Sequence, residues 1–424
     1  MNLSQHQVIA TYLIETPYSL AHAAEVMAGE QSTGTFVKVP GETPELIARH
    51  RAAIIHIEEL DERLEPSLPY TMPPAGEKNL MYRRGLVQLA FPIDNFGASL
   101  ANLMSTVAGN LYELRELSGI RLVDIELPGP FADRYPGPRF GIEGTRRLTQ
   151  VNSGPIIGTI VKPSIGLPLS EYGPLVRSLA EAGLDFIKDD ELCANPPYAP
   201  FDQRVKTVME QIERAADRTG RKLMYAFNIT GDIDEMKRHH DLVVKEGGTC
   251  VMVAVNSMGL PAVAHLRQYA EVPIHGHRTQ WGAMTRSPML GMGFKAYQKL
   301  CRLAGVDHLH TNGLNSKFAE SNDGVAQSVK DCLNPFLGGY PIMPVLSSAQ
   351  WAGSAEPTYR AIQSTNVIHL AGGGILAHPG GAAEGVASMR QGWEAAASGI
   401  PIEEYAKTHP ALQQAIQTFG KARN

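Results

Sequence analysis

The sequence predicts a C-terminal (β/α)8 barrel, that is a TIM barrel, preceded by a smaller α+β domain. Three observations favour this fold class. From about residue 150 onward, short apolar segments alternate with helical stretches, as expected for alternating strands and helices. Eight such strand candidates fall within roughly 275 residues, a usual size for this barrel. Polar residues or glycines follow most of them, at the edge where such barrels carry their active sites.

Residues 1–133 mix strands and helices without a regular alternation, which predicts the α+β domain. Strands are predicted at residues 8–14, 34–39 and 86–91, and helices at residues 19–28 and 99–107. The stretch 134–141 is rich in proline and glycine, which interrupt regular structure, so it is a predicted linker. We therefore expect domains at residues 1–133 and 134–424.

The barrel strands are predicted from eight apolar segments. They are residues 156–161, 186–188, 223–229, 250–255, 272–275, 308–310, 342–346 and 367–370. Helices between them include residues 171–182, 201–218 and 294–304. A doubly wound open sheet is the alternative, but such a sheet gathers its polar residues near one switch point. The spread of polar residues over many strand ends favours the barrel.

Composition indicates an ordinary globular protein of 424 residues, with 43% hydrophobic and 19% charged residues. The net charge of −5 is dispersed, so neither nucleic acid nor an anionic membrane is an expected partner. No apolar run approaches the roughly 20 residues of a membrane-spanning helix, and the N-terminus lacks the features of a signal peptide. The four cysteines form no CxxC pair, which indicates thiols in a reducing cytoplasm and argues against a zinc site.

Residues 184–193 are the most informative segment, because an apolar run there ends in one lysine and three acids. Such charge at the end of a buried strand is unfavourable unless it is paired or bound to a metal. Residues two apart on a strand share a face, so Lys188 and Asp190 point the same way, and Glu191 follows as the chain leaves the sheet. Oxygen ligands suit Mg²⁺, and CO2 could carbamylate Lys188 to add a third oxygen anion. A salt-bridged cluster is the alternative interpretation.

Six of the seven other strand candidates also end in polar residues or glycines. These ends are Lys162–Ser164, Phe227–Asn228, His275–Arg278, His310–Gly313, Ser347–Ala349 and Ala371–Gly374. Each alone could be a helix cap, a core histidine or a turn, but together they predict one active-site mouth. Three successive glycines let the backbone approach an anion, and the Arg278 guanidinium matches phosphate.

The segment Gly183–Glu191 resembles the activation motif of the ribulose-bisphosphate carboxylase large subunit. In that family the lysine is carbamylated and the following Asp and Glu bind magnesium. The resemblance therefore implies a Mg²⁺ site formed by carbamylated Lys188, Asp190 and Glu191. It also implies a ferredoxin-like N-terminal domain before the barrel.

The resemblance extends along nearly the whole chain in the same order. Gly158–Pro163 resembles the strand-one motif, whose lysine, Lys162, handles protons. His277 and Arg278 resemble the family's phosphate-binding pair. His310 resembles its strand-six histidine, and Lys317 resembles its flexible-loop lysine. Ser347 and the Gly372, Gly373 and Gly374 run resemble the remaining phosphate contacts. Segments containing Glu30 and Asn102 resemble those that reach a partner subunit's site.

Several positions depart from the pattern of true carboxylases. Ser164 stands where they have lysine, Ser348 and Ala349 where they have two glycines, and Phe36 where they have tryptophan. Trp281 stands where a histidine is usual, and the loop before Lys317 also differs. These changes lie around the phosphate and CO2 sites, so we expect a RuBisCO-like (form IV) protein with another substrate.

Within that group, we favour the branch acting on 3-oxo-isoapionate 4-phosphate, by decarboxylation or by transcarboxylation and hydrolysis through a metal-stabilised enediolate. Retention of Lys317 favours a reaction in which a carboxylate leaves or moves, because a closing loop can hold that group with an ammonium. In this reaction Lys162 would deliver a proton, and His277 and His310 would orient oxygens or carry protons. Phosphate would bind at Arg278, His310 and Ser347, or at the glycine run.

Alternatives remain open at this point. The chain could be the diketo-methylthiopentyl phosphate enolase of methionine salvage, a methylthioribulose phosphate isomerase, or another sugar-phosphate enolase. A protein of another class, catalytically silent and ligand-binding, would be expected to have a damaged metal site, whereas Lys162, Lys188, Asp190 and Glu191 are intact. If Glu30 and Asn102 serve a neighbouring site, the active unit is a cytoplasmic homodimer or an assembly of dimers, with no small subunit.

Overall fold

The computed structural model describes residues 6–34, 39–76 and 80–420. The strands are β1 (Gln7–Thr16), β2 (Ala53–Arg63), β3 (Tyr82–Pro92), β4 (Gly119–Glu126), β5 (Ile156–Ile160), β6 (Phe186–Lys188), β7 (Met224–Asn228), β8 (Cys250–Ala254), β9 (Ile274–His277), β10 (Leu290–Met292), β11 (His308–His310), β12 (Met343–Leu346) and β13 (Ile368–Leu370).

The α-helices of the first half are α1 (Leu20–Glu30), α2 (Pro44–His50), α3 (Leu100–Val107), α4 (Pro130–Arg134), α5 (Gly141–Thr149), α6 (Leu169–Glu181) and α7 (Phe201–Thr219). Those of the second half are α8 (Ile233–Lys245), α9 (Val255–Met258), α10 (Leu260–Tyr269), α11 (Trp281–Thr285), α12 (Phe294–Leu303), α13 (Asn322–Leu333), α14 (Ala355–Ile362), α15 (Gly373–Leu376), α16 (Ala382–Ser398), α17 (Ile402–Tyr405) and α18 (Pro410–Phe419). Within the described ranges, none of these helices combines the length and apolar character needed to span a membrane.

The chain divides into two compact units, one of residues 1–136 and 280–303 and one of residues 137–279 and 304–424. The domain boundary predicted between residues 133 and 134 stays a prediction. Tyr135 to Phe140, within the predicted linker, form neither helix nor strand.

The first unit contains a five-stranded sheet in the order β10-β4-β1-β3-β2. Its elements β1, α1, β2, β3, α3 and β4 follow the βαββαβ order of a ferredoxin-like domain, with α2 as an additional helix. Strand β1 alternates buried and half-buried residues over most of its length, the pattern of a strand with one face on a core. The predicted strand at residues 34–39 falls mostly on residues 35–38, which lie outside the described residues.

Strand β10 comes from a part of the sequence distant from the rest of this sheet. It pairs in parallel with β4, with Leu290 opposite Ile120 and Met292 opposite Leu122. The hydroxyl of Tyr112 donates a hydrogen bond to the carbonyl of Gly291 at 2.7 Å and so secures the strand. Helix α12, predicted as a barrel helix, belongs to this first unit.

The second unit is a closed barrel of eight parallel strands in the order β11-β12-β13-β5-β6-β7-β8-β9. This arrangement confirms the predicted (β/α)8 fold class. Apolar side chains from six of its strands form a hydrophobic core, a packing typical of these barrels. Members of this core include Ile156, Phe186, Met252, Val345 and Leu370. All four cysteines are buried as thiols.

Candidate active site

Lys188 lies at the end of β6 and is almost completely buried, with 1% of its surface exposed. Its Nζ donates to the carbonyl of Asp189 at 3.0 Å and to Oε2 of Glu191 at 2.9 Å. A buried ammonium needs such a partner, because its desolvation is otherwise costly. The lysine and the glutamate of the predicted metal site are therefore in direct contact.

The carboxylate of Glu191 lies between the Lys188 ammonium and the His277 ring at the barrel mouth. His277 Nε2 lies 3.4 Å from the same carboxylate oxygen that Lys188 contacts. Burial alone would raise the pKa of Glu191, but the charge of Lys188, and that of His277 once it is protonated at low pH, lower it to about 2. Glu191 is therefore an anion at neutral pH, as a metal ligand must be.

Asp190 is the second acid of the predicted site and is 3% exposed. Its Oδ2 accepts a hydrogen bond from Lys162 Nζ at 2.7 Å, and its Oδ1 accepts one from the backbone N–H of Leu192 at 3.1 Å. The same Lys162 ammonium donates to Ser164 Oγ at 2.7 Å. Lys162, whose side chain is 42% exposed, thus links the end of β5 to the acids that follow β6.

Asp189 lies in the sequence between the metal-site candidates Lys188 and Asp190, but its carboxylate is bound by other residues. Its carboxylate accepts hydrogen bonds from Tyr225 Oη at 2.6 Å and from the backbone N–H of Asn228 at 2.9 Å, and it pairs with Arg204 at 3.2 Å. Neither Asp189 nor Arg204 is exposed. Asp189 is thereby held by structural contacts, whereas the side chains of Lys188 and Asp190 contact Glu191 and Lys162 at the mouth.

Arg204 of α7 is a residue that the sequence prediction missed. Its guanidinium also donates to the carbonyls of Ala199 at 2.8 Å and Ala194 at 2.5 Å. Arg204 therefore binds both the Asp189 carboxylate and the loop that follows the acids, through the carbonyls of Ala194 and Ala199. The available sequence signal was an arginine among the apolar positions of an amphipathic helix, which predicts a buried ion pair but not its partner.

His277 and His310 lie side by side at the mouth, with ring centroids 4.4 Å apart. His277 Nδ1 is 2.6 Å from the hydroxyl of Thr279, and His310 Nδ1 is 3.2 Å from Ser347 Oγ. Burial, followed by the charge of Lys188, lowers the pKa of His277 to about 3. His277 lies beside Glu191 and His310 lies beside His277, so the structure brings these predicted site residues together.

Arg278 follows His277 and pairs with Glu320, which the sequence prediction did not identify. The distance between Arg278 Nη2 and Glu320 Oε2 is 3.1 Å, and Asn312 Nδ2 donates to the same oxygen at 2.5 Å. The side chains of Arg278 and Glu320 are 9% and 21% exposed. The guanidinium predicted to bind phosphate therefore already contacts a carboxylate.

Lys317 is exposed on the loop after β11, where its ammonium lies over the ring of Phe318 at 5.4 Å. The loop lines a cavity of about 610 Å³ together with residues that follow β12. The lining residues are Asn315, Ser316, Lys317, Ala349, Trp351, Gly353 and Ser354. The predicted loop lysine therefore faces a space large enough for a small ligand.

The segment after β12 has an unusual backbone. Ser348 and Ala349 have φ angles of 74° and 52°, in the left-handed region that normally favours glycine. These are the two positions at which the carboxylase pattern has glycines. The chain therefore keeps the glycine-type conformation without glycine, at the edge of the cavity.

The three glycines after β13 differ in their surroundings. A Cβ on Gly372 would lie 4.0 Å from Lys162 Cε, which places this residue near the mouth, and one on Gly373 would meet nothing within 4 Å. A Cβ on Gly374 would lie 2.5 Å from the carbonyl oxygen of Gln350. Packing alone therefore requires the third glycine, whereas the first two leave open space.

Glu30 and Asn102 belong to the first unit and are exposed. Glu30 Oε1 accepts a hydrogen bond from Asn110 Nδ2 at 3.3 Å, and Asn102 Nδ2 donates to the carbonyl of Phe96 at 3.3 Å. Each is held by its own unit with its polar end accessible. Their predicted role in a partner's site stays a prediction.

Known families and proteins resemble this chain along nearly its whole length. Residues 2–131 match the N-terminal domain of the ribulose bisphosphate carboxylase large chain, and residues 141–419 match its catalytic domain. A 3-oxo-isoapionate-4-phosphate transcarboxylase/hydrolase from Xanthobacter autotrophicus is 50% identical over 97% of this chain and 98% of its own length. A 3-oxo-isoapionate-4-phosphate decarboxylase from Rhizobium etli is 43% identical over 98% of this chain and 99% of its own length.

Solved structures agree with these matches. A rubisco-like protein from Burkholderia fungorum superimposes with a TM-score of 0.91 at 46% identity, covering 98% of this chain and all of its own. A dimeric archaeal Rubisco from Hyperthermus butylicus gives a TM-score of 0.84 at 30% identity, covering 98% of this chain and 96% of its own. With both domains matched and its relatives aligned from end to end, this chain belongs to the ribulose bisphosphate carboxylase large-chain family.

Proposed function

We propose that this protein is a RuBisCO-like enzyme that cleaves a carbon–carbon bond of 3-oxo-isoapionate 4-phosphate. The observation that carries the proposal is the 50% identity, over nearly the full length of both chains, to a transcarboxylase/hydrolase of that substrate. A decarboxylase of the same substrate is 43% identical. Both names describe cleavage beside a keto group with departure or transfer of a carboxylate.

The metal site proposed for this reaction is formed by carbamylated Lys188, Asp190 and Glu191. Among the described residues, no group of three His, Cys, Asp or Glu side chains has a metal-binding arrangement, so a third anion would have to come from Lys188. A carboxylate on its Nζ, which is 2.9 Å from Glu191, would create like charges that only a cation could stabilise. Three hard oxygens in a buried cluster fit Mg²⁺, which when bound would act as a Lewis acid on a substrate oxygen.

Lys162 is proposed to donate the proton that completes the reaction. Cleavage leaves an electron pair on the carbon beside the keto group, and a proton must be delivered to that carbon. The Lys162 ammonium is at the mouth, 2.7 Å from Asp190, and its partly exposed position lets it exchange protons with water. Geometry of this kind is the first requirement for a general acid.

The carboxylate that leaves or moves is proposed to contact Lys317. This lysine is exposed and its loop lines the cavity, so its ammonium is available to an anionic group. His277, held by Thr279 and Glu191, would orient a substrate oxygen. His310, whose ring lies beside that of His277, would orient a second substrate oxygen.

The phosphate is proposed to bind at Arg278 and Ser347, with the open turn at Gly372 and Gly373 as a second position. Arg278 offers the planar donors that suit phosphate, provided that Glu320 releases it. The active unit is proposed to be a homodimer or an assembly of dimers, in which Glu30 and Asn102 reach the partner's site. Membership of a family that includes a dimeric enzyme supports this assembly.

Substrate turnover tests the proposed function. Purified protein with Mg²⁺ and bicarbonate would be offered 3-oxo-isoapionate 4-phosphate and diketo-methylthiopentyl phosphate in parallel, and products would be followed by phosphorus NMR. We expect cleavage of the first compound only, and ¹³C at its carboxylate would distinguish release as CO2 from transfer. Enolisation of the second compound alone would contradict the proposal. Lys317→Met should reduce cleavage, while Lys330→Met on α13, outside the proposed site, should not.

A further inference from the structure

Three buried histidines form a continuous hydrogen-bonded chain through the barrel, between Thr145 of α5 and Ser347. Thr145 Oγ1 lies 2.8 Å from His308 Nε2, and His308 Nδ1 lies 3.3 Å from His275 Nδ1. His275 Nε2 lies 2.7 Å from His310 Nε2, and His310 Nδ1 lies 3.2 Å from Ser347 Oγ. We call these three residues the histidine chain. Only its last member, His310, is next to the proposed substrate site.

Thr145 determines the direction of every hydrogen bond in the histidine chain. Its hydroxyl has one proton and donates it to the carbonyl of Gly141, one turn earlier in α5. The same oxygen must therefore accept from His308, which places the proton of His308 on Nε2. A neutral imidazole has one donor nitrogen and one acceptor nitrogen, so His308 Nδ1 is an acceptor.

The remaining tautomers follow by the same rule. His275 must donate from Nδ1 to His308, which leaves its Nε2 as an acceptor. His310 must then donate from Nε2 to His275, which leaves its Nδ1 without a proton. Ser347 Oγ donates to this nitrogen. Reversal of this order would require Thr145 to abandon the carbonyl of Gly141.

The rule applies because the three rings are neutral. His275 and His308 have no exposed surface and His310 has 3%. Burial lowers the pKa of His308 to about 3 and that of His275 and His310 well below the usual value. The ring of Phe186 packs against both inner histidines, with its centroid 5.2 Å from that of His275 and 6.0 Å from that of His308. This apolar neighbour further disfavours charge on the two imidazoles.

We propose that His275 and His308 are positioning residues that hold His310 as the Nε2–H tautomer and present its unprotonated Nδ1 at the substrate site. This inference deepens the proposed function and rests on it for the identity of the ligand. An unprotonated nitrogen accepts hydrogen bonds and cannot donate one to phosphate. His310 is therefore assigned to a substrate hydroxyl, with Ser347 occupying that place in the free protein, and Arg278 is left as the phosphate donor.

Nitrogen NMR of the free protein labelled with ¹⁵N-histidine tests the tautomers without any substrate. Unprotonated imidazole nitrogens resonate far downfield of protonated ones, and His310→Gln identifies the His310 signals. We expect one downfield Nδ1 and one upfield Nε2 for His310 at neutral pH. His369 provides an internal reference, because the indole N–H of Trp393 donates to its Nδ1 at 2.8 Å and fixes the same tautomer independently. A protonated Nδ1 on His310 would overturn the proposal.

A matched pair of variants tests the role of the chain. Thr145→Val removes the hydroxyl that sets the order, whereas Thr145→Ser keeps it. We expect the His310 nitrogen signals of Thr145→Val to shift toward an even mixture of tautomers, with Thr145→Ser unchanged and His369 constant in both. A His310 spectrum that does not respond to Thr145→Val would show that the chain does not set the tautomer. Should Thr145→Val not fold, the spectra of the parent protein and of Thr145→Ser still decide the tautomer.

These outcomes are separable from the proposed function. The NMR spectra decide the tautomer in the free protein, without any turnover. The turnover assay decides the substrate, whichever tautomer His310 has. With an active substrate, an even mixture of tautomers in Thr145→Val would leave about half of the molecules with the correct one. Turnover should therefore fall about twofold. Equal turnover in Thr145→Val and Thr145→Ser, with a shifted His310 spectrum, would refute the catalytic use of the unprotonated Nδ1.

Discussion

Replacement of Arg204 by methionine should destabilise the barrel unit and loosen the segment that bears the acids. The methionine would fill much of the buried volume but provide no positive charge and no hydrogen-bond donors. Asp189 would keep its hydrogen bonds from Tyr225 Oη at 2.6 Å and from Asn228 N–H at 2.9 Å. The carbonyls of Ala199 and Ala194 would lose their donor.

The magnitude follows from the burial of both partners. Removal of one member of a buried ion pair costs about 3–5 kcal/mol, because the other charge is left uncompensated. Because Tyr225 and Asn228 still donate hydrogen bonds to Asp189, we expect the loss of unfolding free energy near the lower limit, at about 3 kcal/mol. For a unit of this size, that loss corresponds to a decrease in Tm of about 6–12 °C.

Thermal unfolding followed by circular dichroism at a fixed scan rate would measure the loss, with Arg218→Met as the matched control. Arg218 lies in the same helix, α7, but its pair with Glu181 is exposed on both sides, at 57% and 42%. Such exposed pairs contribute about 0–1 kcal/mol. Hydrogen exchange of peptides covering residues 186–200 should accelerate only in the Arg204 variant. Two variants with Tm values within about 2 °C of each other would refute the buried-pair argument.

Three further predictions concern the site and its pH dependence. Glu320→Gln should leave Arg278 more available and strengthen the binding of inorganic phosphate by about fivefold in calorimetry, whereas Asp323→Asn at the start of α13 should not. Lys188→Met should abolish the ¹³C carbamate resonance expected from the parent protein with labelled bicarbonate and Mg²⁺; a persistent resonance would place the carbamate elsewhere. Burial lowers the pKa of His369 from 6.5 to about 3. Between these two pH values the unfolded chain binds more protons than the folded one, so the free energy of unfolding should fall as pH decreases from 6.5. The fall due to this histidine is up to about 1.4 kcal/mol per pH unit. His369→Gln should make Tm less dependent on pH between 6.5 and 5, above the range in which carboxylates titrate.

The barrel was predictable because most of its strands are short apolar segments between turn residues, although β9 and β11 each contain two histidines. Strand β6 occupies the predicted residues, and β13 begins one residue later than predicted. Strand β9 was predicted at residues 272–275 and spans Ile274–His277, because Val272 extends the apolar run without joining the ladder. Strand β2 was missed because it is exposed or half-buried on both faces, so its sequence lacks the alternation that marks a strand with one buried face.

The site was predictable only where its residues follow strands directly. Lys162, Lys188, Asp190 and Glu191 lie at the ends of β5 and β6, and parallel strands in a barrel bring such ends to one mouth. Glu320 was not predictable in the same way, because it reaches Arg278 from a loop 42 residues later. Partnerships of this kind depend on loop conformation, for which a single sequence has no periodic signal.

Strand β10 has a consequence for how the protein is made on the ribosome. Its parallel partner β4 is complete at residue 126, yet Leu290–Met292 emerge more than 160 residues later. Until then β4 presents an unpaired edge, which is a template for unwanted pairing between nascent chains. A fragment ending near residue 133 would keep that edge permanently and should aggregate, whereas co-expression with a fragment that contains residues 280–303 should rescue its solubility.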